Sequence, residues 1–247
     1  MVSDRVQEAL SFANMNTVPP PLVLPWWKTA AVLLGFPAMS TLLSLLLLDR
    51  EVFAFTGLDF FTAFWWLITL WYLLQIVLLR WLLRGSGYDF SSIGFGMSGR
   101  KLLFFIIAYL LFAAGLVVLV EMALAGAEVA PERLSDFANL SPITTQQRIA
   151  FVAMALVGGM AEELVYRGFA IRALQGYGIN RWVALVLAAV PFVFQHGLKS
   201  VDQFWWFFGM GIFLGLLFLL LRRLSINIIL HWLVVLSALL AVLSVLE

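Results

Sequence analysis

The run IAFVAMALVGGMAEELVYRGFAIRAL, residues 149–174, decides how the rest of the chain is read. It is long enough to cross a bilayer, since a spanning helix needs about 20 mostly apolar residues. Yet it carries Glu162, Glu163 and Arg167 near its middle. On insertion scales each charged group at the bilayer centre costs about 2.5–3.5 kcal/mol, so such groups normally persist only where they are paired or functional.

Outward from this run the chain is equally apolar. Of its 247 residues 63% are hydrophobic and 12% charged, where a soluble domain carries about twice that charged fraction. Lipid is the solvent that such a surface needs. The ruler of about 20 residues yields seven segments: Trp26–Leu48, Leu58–Leu79, Leu102–Leu124, Ile149–Leu174, Trp182–Leu198, Phe204–Leu221 and Ile226–Leu246. The fold class expected is all-α, a polytopic transmembrane bundle of about seven spans, with room for an eighth. Residues 1–22 read as a polar segment ending in Pro19, Pro20 and Pro21, without the order of a cleavable signal peptide. Residues 23–247 read as one membrane domain, because no connection is long enough for a soluble one.

A cytoplasmic N-terminus places ten basic residues, from Arg5 and Lys28 to Arg222 and Arg223, on the inner side. Only Arg50, Arg133, Arg148 and Lys199 then fall outside, as the positive-inside rule requires. The short connections suit a prokaryotic plasma membrane. A net charge of +1 gives no sign of nucleic acid, and the absence of cysteine excludes disulfides, thiolate metal sites and cysteine nucleophiles. Aromatic clusters such as Trp26-Trp27 and Phe204-Trp205-Trp206-Phe207-Phe208 read as interfacial belts. Gly211 and Gly215 read as a close helix contact.

Both histidines of the chain lie in apolar segments, His196 within PFVFQHG and His231 within INIILHW. At a rise of about 1.5 Å per residue, Glu162 and His196 stand about 18 and 21 Å from the inner end of their helices. His231 stands about 12 Å deep on the same measure, so helix tilt must close the gap. Glu163 and Arg167 are four apart and share a face, which lets them pair; Glu162 is rotated by about 100° and points elsewhere. A carboxylate held charged beside a neutral imidazole can deprotonate water. The alternative is an ion pair and two hydrogen-bonded histidines that fix helix register.

At these residues the sequence resembles the CAAX prenyl protease and bacteriocin-processing family of intramembrane endopeptidases, type II CAAX prenyl endopeptidases among them. Three of its patterns recur in order: EExxxR as Glu162 to Arg167, FxxxH as Phe192 to His196, and the HxxxN or HxxxD pattern beginning at His231. In the last, Val235 stands where the family has Asn or Asp. The resemblance covers about residues 149–246. It implies hydrolysis of peptide bonds in membrane-associated proteins or peptides. It makes Glu162 the water-activating base assisted by His196, His231 the group that polarises the carbonyl or holds the oxyanion, and Glu163 and Arg167 the orienting pair. Asn227, one turn before His231, is expected to supply the amide that Val235 lacks, or else to be only a helix-start residue. Two versions stay open, one without a metal and one in which Glu162, His196 and His231 hold a divalent ion, zinc first, with Glu163 as base. A non-catalytic member of the same fold, a membrane scaffold or bacteriocin-immunity-type factor, is the alternative function, and Val235 is what favours it. The partners expected are the lipid bilayer and a peptide or membrane-protein substrate.

Overall fold

The structure, a computed structural model, describes residues 21–125 and 142–241. The polar segment 1–22 lies almost wholly outside these residues, as does most of the connection after the third helix. The described residues are helical, with no strand among them. Five helices are long and apolar enough to cross a membrane: α1 (Trp26–Leu48), α2 (Phe60–Arg84), α3 (Gly99–Leu124), α4 (Thr145–Gly176) and α6 (Phe204–Leu221). Two shorter apolar helices complete the set, α5 (Arg181–Phe194) and α7 (Leu224–Ala241). The seven apolar segments thus all form helices, in a polytopic membrane bundle.

Polar contacts at the two ends set the directions of the helices. At one end Asp59 caps α2, accepting from the backbone of Phe61 and Thr62, and also takes Gln147 Nε2 at 2.9 Å. Gln147 belongs to the capping box that starts α4. Glu121, near the end of α3, pairs there with Arg148 at 2.8 Å. At the opposite end Lys28, in the first turn of α1, donates to Leu82 O and Ser86 Oγ at the end of α2. Leu22 N donates to Arg172 O, near the end of α4. Successive helices therefore alternate in direction, and α2 runs parallel to α4.

Helix α4 is the centre of the bundle. Of its most apolar window 61% is buried by protein, against 39% for α2 and 17% for α3. A buried span can hold charges that a lipid-facing one cannot. Two glycines bring its neighbours close. A Cβ on Gly158 would lie 2.8 Å from the ring of Tyr72, and one on Gly159 would lie 2.7 Å from the ring of Trp232. Each glycine stands four residues before one of the two glutamates, so α2 and α7 close in directly beside them. Gly211 and Gly215 lie against Ala189 and Leu185 of α5, the close contact that their spacing suggests.

The fifth helix departs from expectation. It ends at Phe194, not at Leu198, and its 14 residues span only about 21 Å. Pro191 interrupts its hydrogen-bond ladder, and Gly197 at φ +62° reverses the chain. The turn is held against α1, since Leu198 N donates to Ser44 Oγ at 2.9 Å and a Cβ on Gly197 would collide with Ser44. Ser44 lies inside α1, short of its end at Leu48. Irregular backbone at that depth is tolerated where it is buried in protein or lines a polar cavity.

Candidate active site

The turn after α5, together with α1, α2, α4, α6 and α7, walls a cavity of about 600 Å³. Glu162, His196 and His231 all line it, with Tyr72, Gln195 and Val235. The bundle thus brings the three expected side chains to one place. His231 Nε2 lies 3.4 Å from Glu162 Oε2, and His196 Nε2 lies 3.9 Å from the same atom. The gap in depth foreseen for His231 has closed.

Locally, α4 widens here into a π-helical segment, Glu163–Ala170, every residue of which is buried. Such segments are rare and recur at functional sites. Glu163 meets Arg167 Nη1 at 2.9 Å, and both are almost fully buried. The rotation expected between the two glutamates is present, but they are not separated by it. His231 stands between them, with Nδ1 2.8 Å from Glu163 Oε1 and Nε2 toward Glu162. Glu162 faces the cavity and takes a short hydrogen bond from the Tyr72 hydroxyl.

Phe192 explains the spacing of the FxxxH pattern. Its ring carries the Arg167 guanidinium over one face at 4.1 Å and packs edge-on to His196 and His231. Its carbonyl lies 3.0 Å from His196 Nδ1. That carbonyl is free because the backbone tightens at the end of α5, where His196 N donates to Val193 O instead. Phe207 stacks on the imidazole at 3.7 Å and fixes its plane.

The hydrogen bonds decide the tautomers. Beside Arg167, Glu163 is a carboxylate acceptor, so His231 donates from Nδ1. His196 likewise donates from Nδ1 to a carbonyl. In the neutral rings both Nε2 atoms then present lone pairs to Glu162. Three acceptors facing one another need a hydrogen-bond donor or a cation between them. For zinc the donor chemistry of two imidazoles and a carboxylate is suitable. Among the described residues, however, no three such side chains are arranged to hold an ion.

Asn227 corrects an expectation. It is fully buried and absent from the cavity wall. Its Nδ2 donates to Glu163 Oε2 at 3.2 Å and to Leu214 O at 2.6 Å, so no amide hydrogen is left for a substrate. It braces Glu163. Two further residues were missed from the sequence, Tyr72 on Glu162 and Tyr166, whose hydroxyl donates to Gln195 Oε1 at 2.7 Å. The signal for Tyr72 was a polar group in the middle of α2, outside the stretch that the resemblance covers. Outside the spans, burial pushes the Lys199 ammonium, at the cavity wall, below its ordinary value.

Residues 144–237 match the family model described as type II CAAX prenyl endopeptidase Rce1-like. No curated protein and no solved structure matches the chain. The matched stretch holds Glu162, Glu163, Arg167, His196 and His231 in order. Over this stretch the multi-pass membrane protein is similar to the Rce1-like type II CAAX prenyl endopeptidases.

Proposed function

We propose that the protein is an intramembrane endopeptidase that cleaves membrane-associated peptides with a water held between Glu162 and the two imidazoles. The observation that carries this reading is the convergence of both Nε2 atoms on Glu162 Oε2, at 3.4 and 3.9 Å. The longer separation exceeds a direct hydrogen bond and suits a bridging water. Glu162 Oε2 takes one proton from that water while His196 Nε2 accepts the hydrogen bond of the other. The hydroxide oxygen bonds to the carbonyl carbon, and on collapse the C–N bond breaks. The proton on Glu162 then passes to the departing amine. Tyr72 donates to Glu162 Oε1, which leaves Oε2 to face the water. Arg167 and Asn227 hold Glu163, and Glu163 holds His231. When His231 is also protonated at Nε2, that N–H is aimed into the cavity.

The substrate class rests on the cavity, whose wall is mainly aromatic and aliphatic, and on the family description, which names prenylated CAAX ends. A lipid-anchored peptide end is the first substrate to assay. A second reading, a non-catalytic membrane scaffold, draws on Val235, which lines the cavity without a polar group.

Glu162→Gln separates the two. Purified in detergent with a fluorogenic peptide library, the wild type cleaves and the folded variant loses at least about 10²-fold in turnover, the minimum expected for a general base. A variant that keeps full turnover overturns the role of Glu162. No cleavage by wild type, with a cellular phenotype unchanged in the variant, favours the scaffold. Exhaustive chelation with elemental analysis of the same sample tests the metal version, in which activity disappears with the zinc.

A further inference from the structure

Lys199 takes no part in the steps above. It opens the one-turn helix Lys199–Asp202 between α5 and α6, three residues beyond His196. Among the described residues it is the only lysine or arginine in the cavity wall, where Glu162 is the only carboxylate. The turn that carries it is held on both sides. Leu198 N donates to Ser44 Oγ at 2.9 Å, and the buried Ser200 donates its backbone N–H to Gly197 O at 3.0 Å. The side chain therefore starts from a fixed point beside the imidazole of His196.

Its ammonium lacks a counter-charge. Among the described residues the side chain makes no hydrogen bond, ion pair or ring contact. Asp202, the acid three residues on, is exposed and does not reach it. Glu162 is occupied by Tyr72 and the two imidazoles. Burial lowers the ammonium below its ordinary value with no neighbouring charge to oppose it. A cation withdrawn from water without a partner is costly, and an arriving anion removes that cost. The nitrogen is not one of the sealed polar atoms of the interior, so a ligand can reach it.

The rest of the cavity narrows the choice of anion. Its wall is mainly aromatic and aliphatic and leads to Glu162. A peptide whose scissile carbonyl lies at Glu162 brings carboxylates of its own, at a free C-terminus or on Asp and Glu. An extended peptide advances about 3.3–3.6 Å per residue, and Lys199 is only three residues from His196. A carboxylate within a few residues of the scissile bond is therefore the one in reach.

We propose that Lys199 is a substrate-binding residue, whose ammonium takes a carboxylate carried by the peptide close to the scissile bond and so selects acid-bearing substrates. This rests on the hydrolase reading. The bond is still broken by water at Glu162, and Lys199 gives up no proton.

The test compares wild type, Lys199→Met and Lys199→Arg in dodecyl maltoside. One pair of peptides differs only in a C-terminal acid or amide; a second, with amide ends, differs only in Asp or Asn beside the cleaved bond. Wild type is expected to favour the acid member of one pair by about 10–10²-fold in kcat/KM, the size of one hydrogen bond between charged groups. The pair that responds tells a chain end from an acidic side chain. Lys199→Met should lose that preference while cleaving the neutral peptide within about threefold of wild type, and Lys199→Arg should keep it. Because it removes an unpaired charge, Lys199→Met should also melt no lower than wild type. An acid preference that survives in Lys199→Met overturns the proposal. So does an equal loss on acid and neutral peptides, or a variant that fails to fold, since either marks a charge that serves the structure or a lipid phosphate. A wild type that cleaves both members of each pair equally removes this site and leaves the hydrolase reading standing. One that cleaves no peptide removes both.

Discussion

Replacing Arg167 by Met tests whether the charge pair in α4 holds the site together. Glu163 is fully buried, with Arg167 at 2.9 Å, His231 at 2.8 Å and Asn227 at 3.2 Å. Two unit charges about 4 Å apart interact by about 4 kcal/mol at an effective dielectric of about 20. Breaking a buried pair from one side typically costs about 3–5 kcal/mol, because the other charge stays uncompensated. Arg167→Met is therefore expected to lose about 3–5 kcal/mol of stability. Glu163→Gln should lose less, because the guanidinium keeps the Phe192 ring at 4.1 Å and the Met210 carbonyl at 3.4 Å. The double variant removes both charges and should fall short of the summed losses by about 2–4 kcal/mol, of the order of the pair's own attraction. Unfolding in mixed micelles, followed by the fluorescence of the chain's ten tryptophans, measures all four corners of this cycle. Losses that add within about 0.5 kcal/mol would mean the two charges are independent, and the account of Glu163 as a clamped carboxylate would be refuted.

Three further outcomes follow from the same geometry. Gly159→Ala places a Cβ 2.7 Å from Trp232, so it should cost about 1–3 kcal/mol of overpacking. It should also reduce cleavage by pushing α7 and His231 away from Glu162; a melting temperature and turnover equal to wild type would contradict this contact. Tyr72→Phe removes the donor on Glu162, a bond to a charged group of about 1.5–3 kcal/mol, and kcat should fall about tenfold or more while peptide binding holds. Finally, burial alone would raise the Asp59 carboxyl, but hydrogen bonds from Thr62, Gln147 and Phe61 outweigh this and hold it below its ordinary value. A folded-state pKa lower than the unfolded one gives stability that is present above the unfolded value, about pH 3.9, and lost as pH falls through the folded value. Asp59→Asn should therefore flatten the drop in melting temperature below about pH 4, and an unchanged acid limb in that variant would rule the carboxylate out.

The membrane bundle and the identity of its inner charges were legible in the sequence because both are decided by local composition. A run of apolar residues can satisfy its backbone in lipid only as a helix, whatever its neighbours are. Charges stand out against such a background, so Glu162, Glu163, Arg167, His196 and His231 could be picked by position alone. What the tertiary structure decided was which atoms face one another. Asn227 shares a helix face with His231, and only the approach of α7 to the π-helical segment turns its amide to Glu163 and Leu214 instead of the cavity. Tyr72 lies 90 residues from Glu162 in sequence, and reaches it because Gly158 has no side chain to keep α2 away. The end of α5 at Phe194 depends on the contact of Gly197 with Ser44 of α1. Hydrogen-bond partners between helices follow from packing distances of a few tenths of an ångström, and no window of local sequence contains them.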